Sequence, residues 1–222
     1  MKYLLYCICQ QDVDEPPQEQ GIRLVTGHGL AVVVSGIEEP TTAPSISSLL
    51  AYERVVESVH ARQTTLPLRY GCLMESESEI LRLLEERREE YEALLIRLRG
   101  MTEMGIRLLW PARAAALSCP APSPGTAYLE SLRQRYNASD TLAPEEAEVA
   151  GRIASLLADR FTEQRREVCS SSQGRLVSLA FLTPKTGVEE FRQKAREISA
   201  PRGAKLLLSG PWPPYSFVAS AG

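Results

Sequence analysis

The sequence is poor in the residues that usually announce chemistry. Histidine occurs only twice, at His28 and His60. No GxSxG elbow, Walker-type phosphate loop, HExxH pair or dinucleotide fingerprint can be read along the chain. The common enzyme readings lose their starting points, and no catalytic residue is expected. A Cys72/His60 nucleophile–base pair, on a small-molecule-binding or catalytic ferredoxin-like domain, stands as the alternative. Lysine is nearly missing, present only at Lys2, Lys185, Lys194 and Lys205, and the formal net charge is −3. Without a surplus of cations to displace counterions from phosphates, nucleic acid is not the expected partner. The arginine bias instead suits planar pairing with carboxylates.

Long apolar runs are also absent. None approaches the roughly 20 residues needed to span a bilayer, so no membrane partner is expected. The opening MKYLLYCICQQ resembles a signal peptide only superficially. Its apolar core is about six residues and no small-x-small cleavage site follows, which makes the cytoplasm the expected location. Cysteine gives no disulfide framework: Cys7, Cys9, Cys72, Cys119 and Cys169 are odd in number and scattered. Cys7 and Cys9 would share one face of a strand, and a zinc site with Cys72 and His60 is conceivable. The C-x-C spacing is not that of a zinc ribbon, however, and cysteine is often a core residue. Core packing is the expectation, with no metal and no cofactor.

What is present is an ordinary globular composition, 44% apolar and 24% charged over 222 residues, enough for two modest domains. Residues 3–8 predict a buried strand, 10–21 a polar loop, and 23–26 a short strand closed by Gly27-His28-Gly29. The β-branched run at 30–35 is the clearest strand of the first half. After a proline-bearing linker at 40–44, Ser45 or Ser47 can cap a helix that places Leu49, Tyr52, Val56 and Val59 on one face. Pro67 forces Leu66 into extended geometry. Leu68-Arg69-Tyr70-Gly71 is then expected as a strand with Arg69 opposite Leu68 and Tyr70.

Ser76 and Glu79 have capping-box spacing, and one helix is expected from there to Arg99, ended by Gly100 in a left-handed turn. The charge run 85–90 reads as its solvated face. A strand at 104–110 closes an N-terminal domain over 1–110. The resulting fold class is α+β in two domains. The first is a modified ferredoxin-like domain, an antiparallel sheet with helices on one face.

Residues 111–125, small and proline-rich, predict a linker. Over 126–222 the pattern predicts an α/β domain with a helical pair. Leu129, Leu132 and Tyr136 mark one helix; Pro144 opens a second carrying Val149, Ile153, Leu156, Leu157 and Phe161. These two pack side by side or run end to end. An edge strand at 163–170 and an apolar strand at 176–182 follow. Thr186 and Glu189 repeat the capping spacing before a helix burying Val188, Phe191, Ala195 and Ile198, and a strand occupies 205–209. The strands at 176–182 and 205–209 could lie parallel with a third between them, and the strand at 163–170 is the candidate companion.

The chain closes on Gly210-Pro211-Trp212-Pro213-Pro214-Tyr215-Ser216-Phe217. Three prolines remove three backbone donors, so the segment is expected to leave the sheet as a stiff, polyproline-like tail. Its rings, Trp212, Tyr215 and Phe217, either fold back and staple the two domains or dock on a partner.

Taken with Leu66-Pro67-Leu68-Arg69-Tyr70-Gly71, Gly125-x-x-Tyr128-Leu129 and the helix leading into Met104-Gly105-Ile106, the GPWPPYSF ending resembles the gas vesicle protein F/L family. Leu68, Tyr70 and Cys72 replace the more usual Met, Phe and hydroxyl residue of the central motif. The resemblance implies a non-catalytic accessory protein of prokaryotic gas vesicles. It would bind the small hydrophobic shell protein and contact other accessory gas vesicle proteins during assembly. It also implies the two-domain plan already read from the pattern. Leu68, Arg69, Tyr70, Trp212, Tyr215 and Phe217 are the candidates for partner binding or domain stapling.

Overall fold

The computed structural model describes residues 2–11, 21–37, 45–111, 142–171 and 174–218. The chain forms two compact units, Met1–Glu103 with Pro211–Gly222, and Met104–Gly210. Apart from residue 111, the expected linker at 111–125 and the expected helix at 126–136 lie outside the described residues.

The first unit is built on a five-stranded sheet ordered β2-β3-β1-β4, with β5 also paired to β1. Its strands are β1 (Lys2–Gln10), β2 (Ile22–Gly27), β3 (Leu30–Ile37), β4 (Thr65–Pro67) and β5 (Leu73–Met74), and every pairing is antiparallel. The β2–β3 turn places His28 at φ 56° and Gly29 at φ 82°. That is the double left-handed geometry a tight hairpin requires.

Between Leu5 and Cys7 the register with β3 slips by one residue. This bulge turns Tyr6 to the same side as Cys7 and Cys9. On that side the buried cluster joins them to Ala31, Val33 and, from helix α1 (Ile46–Arg62), Tyr52, Val55, Val56 and Val59. Ser45 caps α1 as expected, exchanging hydrogen bonds with Ser48 at 3.1 and 3.2 Å.

The opposite side of the sheet presents Leu5, Ile8, Val25, Val32 and Val34, all buried. Helices α2 (Glu77–Glu86) and α3 (Arg88–Arg97) cover it through Ile80, Leu84, Tyr91, Leu95 and the following Leu98. Side-chain contacts fix the sidedness. Glu77 pairs with Arg23 and lies 3.5 Å from the Tyr3 hydroxyl. A Cβ at Gly27 would meet Leu81 at 2.6 Å. Helices therefore sit on both faces of the first sheet, where the sequence pattern suggested one. The continuous apolar run of β1 is the physical reason: Leu5 through Cys9 are buried without a break, which requires cover on each side.

The expected single helix over 76–99 is interrupted at Arg87, whose N–H is shared between the Glu85 and Leu83 carbonyls. The apolar stripe continues across the break. Ser76 accepts from the Glu79 N–H at 3.2 Å, but the Glu79 carboxylate accepts from Glu75, one residue before the cap. Gly100, at φ 70°, ends the pair of helices as expected.

The second unit holds a four-stranded sheet ordered β7-β8-β6-β9. Its strands are β6 (Met101–Pro111), β7 (Glu163–Ser171), β8 (Gly174–Pro184) and β9 (Lys205–Trp212). The strand expected to close the N-terminal domain is thus β6, an interior strand of this second sheet, which corrects the boundary at residue 110. It is also the strand lying between β8 and β9, the place for which 163–170 was the candidate; β7 pairs on the far side of β8. Local pattern identifies a strand but carries no signal for which sheet it joins.

Helices α4 (Pro144–Leu156) and α5 (Val188–Ala195) cover one face of this sheet. Ala150, Ile153 and Leu157 meet Met104, Ile106, Leu108, Val177, Leu179 and Phe181, with Phe191 and Ala195 completing the core. Pro144 opens α4 as expected, and the Glu146 carboxylate accepts from the Ala143 N–H at 2.8 Å while pairing with Arg175 at 2.6 Å. The second capping-box expectation fails. Lys185–Gly187 form a 3-10 turn, and Gly187 precedes α5 without a side-chain cap.

Candidate functional site

The stretch around Pro67 is shorter as a strand and busier as a turn than its sequence suggests. Strand β4 ends at Pro67, and Leu68 to Gly71 reverse direction, with Cys72 N–H donating to the Arg69 carbonyl at 3.2 Å and Gly71 at φ 90°. Leu68 N–H still donates to the Tyr6 carbonyl at 2.9 Å, so the bulge and the turn are tied together. The Tyr52 hydroxyl supplies the knot. It lies 2.9 Å from the Leu5 carbonyl, 3.1 Å from that of Tyr6 and 2.9 Å from that of Leu68. Its ring stacks on Tyr6 at 4.7 Å and meets the edge of Tyr70 at 5.2 Å. Burial, with smaller contributions from neighbours led by Tyr215, holds the Tyr52 phenol well above the usual range.

The closing segment does not leave the sheet. Strand β9 continues through Gly210 and Pro211 to Trp212, at the edge of the sheet, where a missing proline N–H breaks no ladder bond. Thr102 then donates to the Trp212 carbonyl at 2.9 Å. Pro213 and Pro214 are buried and lead into the one-turn helix α6 (Tyr215–Val218). The Glu103 carboxylate accepts from both the Ser216 N–H and its hydroxyl, each at 2.8 Å. Arg97 donates to the Phe217 carbonyl.

Phe217 is buried, and Tyr215, like Tyr70, packs against the cluster that holds Tyr6 and Tyr52. Its phenol is also raised above the ordinary value, first by burial and then by Glu53, Cys7, Glu57 and Glu103. The signal for α6 was present in the sequence, since Pro-Pro before an apolar turn is a helix start.

Of the six candidates, the structure brings together Tyr70 and Tyr215, with Leu68 bound to the same knot. Tyr6, Tyr52, Thr102 and Glu103, not singled out by sequence reasoning as site residues, complete the arrangement. Phe217 is a core residue. Arg69 is exposed, and Trp212 is 41% exposed. Both faces of the first sheet being covered, no open face remains there for Leu68 and Tyr70 to line.

The enzymatic alternative finds no geometry. His60 is buried with Nδ1 3.2 Å from the Thr65 hydroxyl, and Thr65 lies opposite Cys9 on β1. Cys72 adjoins Leu73, which lies opposite Leu4. At about 3.3 Å per residue the two positions are roughly 16 Å apart along the strand, far beyond hydrogen-bond reach. Burial raises the Cys72 thiol, Cys9 is pushed up to about 12, and Cys7 is raised well above its usual value by burial. A raised thiol value keeps these groups neutral near pH 7, the opposite of the shift that activates a thiolate. Among the described residues no three His, Cys, Asp or Glu side chains converge as metal ligands, and no helix is long and apolar enough to cross a membrane.

The second unit offers a groove of about 420 Å³, walled by Val149, Arg152, Ile153 and Leu156 of α4 and by 197–201 beyond α5. Val149, Arg152 and Leu156 stand at i, i+3 and i+7 along one side of α4, next to Ile153, which itself enters the core. Leu156 is 38% exposed there.

A bulged sheet clad by helices on both faces, a second sheet with helices described on one, and a capped aromatic tail define an α+β protein of two sheet-based units. The fold is also that of solved gas vesicle proteins. The crystal structure of GvpF from Microcystis aeruginosa matches with a TM-score of 0.70 at 18% identity, covering 99% of each chain. That of GvpF from Anabaena sp. PCC7120 matches with a TM-score of 0.73 at 18% identity, covering 100% of this chain and 97% of the other. Sequence comparison reaches further. Gas vesicle protein F of a Streptomyces species is 25% identical over 220 residues, 93% of this chain and 90% of the relative. Gas vesicle protein L2 of Halobacterium salinarum is 25% identical over 231 residues, 90% of this chain and 82% of the relative. The family described as gas vesicle synthesis protein GvpL/GvpF matches residues 2–219, and the chain belongs to it.

Proposed function

We propose that the chain is a non-catalytic accessory protein of gas vesicle assembly that grips the small hydrophobic shell protein and shields its apolar face before it enters the wall. Shell subunits that bury an apolar surface in the finished vesicle aggregate if that surface meets water first. The observation that carries the reading is the α4 groove, where exposed Leu156 and half-buried Val149 stand about two helical turns apart with Arg152 and Glu197 along the walls. Such a pair suits the apolar face of an amphipathic helix, read at two successive turns. Family membership supports the reading by placing the chain among gas vesicle proteins.

The test is co-purification of the shell protein with the tagged full-length chain and with Leu156→Asp. Leu156 is exposed, so the substitution spares the core. Loss of one buried leucine contact, about 1.5–3 kcal/mol, lowers capture roughly ten- to a hundredfold. Undiminished capture by Leu156→Asp, or none by the wild type, would overturn the proposal.

A further inference from the structure

The face of the second sheet turned away from α4 and α5 is not the polar, solvated surface usual for an antiparallel sheet with one packed side. Since Met104, Ile106 and Leu108 point into the core, Gly105, Arg107 and Leu109 point out. By the same alternation Leu206 and Leu208 turn inward on β9, leaving Lys205, Leu207 and Ser209 outside. Ser209 stands across from Gly105, its hydroxyl 3.5 Å from the Gly105 carbonyl and only 2.6 Å from where a Cβ there would be. Antiparallel stepping from that pair sets Arg107 beside Leu207, and Leu109 beside Lys205. On the neighbouring β8 the outward residues are Leu176, Ser178 and Ala180, none of them charged.

This surface therefore alternates apolar and cationic groups. Leu207 is 59% and Leu109 40% exposed. Arg107 and Lys205 are exposed as well, and neither has an ion pair among the described residues. No carboxylate on β6, β8 or β9 within this unit answers them on that side. Among the described residues the acidic groups on that side are Glu163 and Glu167, which flank Arg165 at the β7 edge, and Glu103 at the start of β6, already bound to Ser216.

We propose that the β6–β9 face is a second docking surface, separate from the α4 groove, for an amphipathic helix whose apolar ridge is flanked by carboxylates. The leucines give the ridge a seat. Two unanswered cations favour an acidic flank and disfavour a basic one, which makes the contact selective and salt-dependent. Gly105 keeps one end of the surface low, since any side chain there would strike Ser209. An accessory protein holding a shell subunit in one place and a second assembly component here would bring the two together at raised effective concentration.

The test uses the full-length chain and two fluorescein-labelled 18-residue helices with the same leucine ridge, one flanked by glutamates and the other by lysines. Anisotropy is read at 50 and 300 mM salt. The expected result is micromolar binding of the glutamate helix, at least fivefold weaker at the higher salt, with the lysine helix at least tenfold poorer. Arg107→Glu with Lys205→Glu should abolish that preference, and Leu207→Asp should weaken binding at least tenfold. Leu156→Asp, which probes the groove, should leave it unchanged. Equal binding of both helices, no binding of either, or indifference to the charge reversal would overturn the proposal. So would a concentration-dependent dimer in sedimentation that Leu207→Asp dissolves, since a second copy would then occupy the face. Protection of Leu109 and Leu207 from hydroxyl-radical oxidation in the dilute monomer would also sink it, by showing the face already filled by the chain itself.

Discussion

Cys9 couples the stability of the first unit to pH. Its thiol sits at the centre of the α1 face and is pushed up to about 12, chiefly by burial, against a partial downward pull from Gln63. A neutral thiol in the folded chain and an ionisable one in the unfolded chain fix the sign. The contribution of Cys9 is complete below the ordinary thiol value and declines as pH rises from about 9 to 12, because the thiolate is available only to the unfolded state. Cys7, Tyr52 and Tyr215, all raised mainly by burial, act in the same direction. The urea midpoint should be level from pH 6 to 8 and then fall. Cys9→Ala costs about 1 kcal/mol at neutral pH through the small void it leaves. Its penalty should shrink, and then reverse, as the wild type loses stability at alkaline pH. Parallel midpoint curves for the two proteins would show that Cys9 is not the coupled group.

At the scale of elements, β9 and α6 separate aromatic residues that look alike in the sequence. Phe217 is enclosed in the first unit, whereas Trp212 lies on an edge strand with much of its ring in water. Phe217→Ala should cost about 3–5 kcal/mol, while Trp212→Ala should stay below about 1 kcal/mol. Urea midpoints compared at one pH decide the matter, and similar losses for both would contradict the assignment. The elements that were legible in advance are those whose cause is local. The Ser45 cap, the Gly27-His28-Gly29 turn, the Pro144 start and the Gly100 stop each depend on a few adjacent residues. What was missed depends on distant partners. Leu68 to Gly71 are a turn because Tyr52, on α1, ties down their carbonyl end. Pro211 sits within β9 because, among the described residues, no strand pairs along that edge to need its N–H. The Tyr6 bulge, which sets up the aromatic cluster, leaves no mark in the alternation of an already continuous apolar run. Local pattern accordingly draws attention to the rings of Tyr70 and Tyr215 but gives no sign of the Tyr52 hydroxyl bonded beside them.

For the whole molecule, the connectivity of the two units matters more than their separate folds. The chain passes from the first to the second within β6 and returns within β9. Composition suggested a break near residue 110, after which the first domain would stand alone. A fragment ending there keeps β6 but lacks β9, its partner in the sheet, and α6, which supplies Phe217 to the core and Ser216 to Glu103. An apolar strand edge and an unfilled core site are both left open. Fragment 1–110 is therefore expected to bind a hydrophobic dye such as ANS and to melt without a cooperative urea transition. Because β6 and β9 are antiparallel neighbours, a short Gly-Ser turn can join residue 110 directly to residue 205. Appending 205–218 in this way should restore a cooperative transition and abolish most of the dye binding. The same graft carrying Phe217→Ala should do neither fully, which separates filling of the core from mere lengthening of the chain. A cooperative transition in unmodified 1–110 would show that the returning strand and its helix are decoration on an already complete unit.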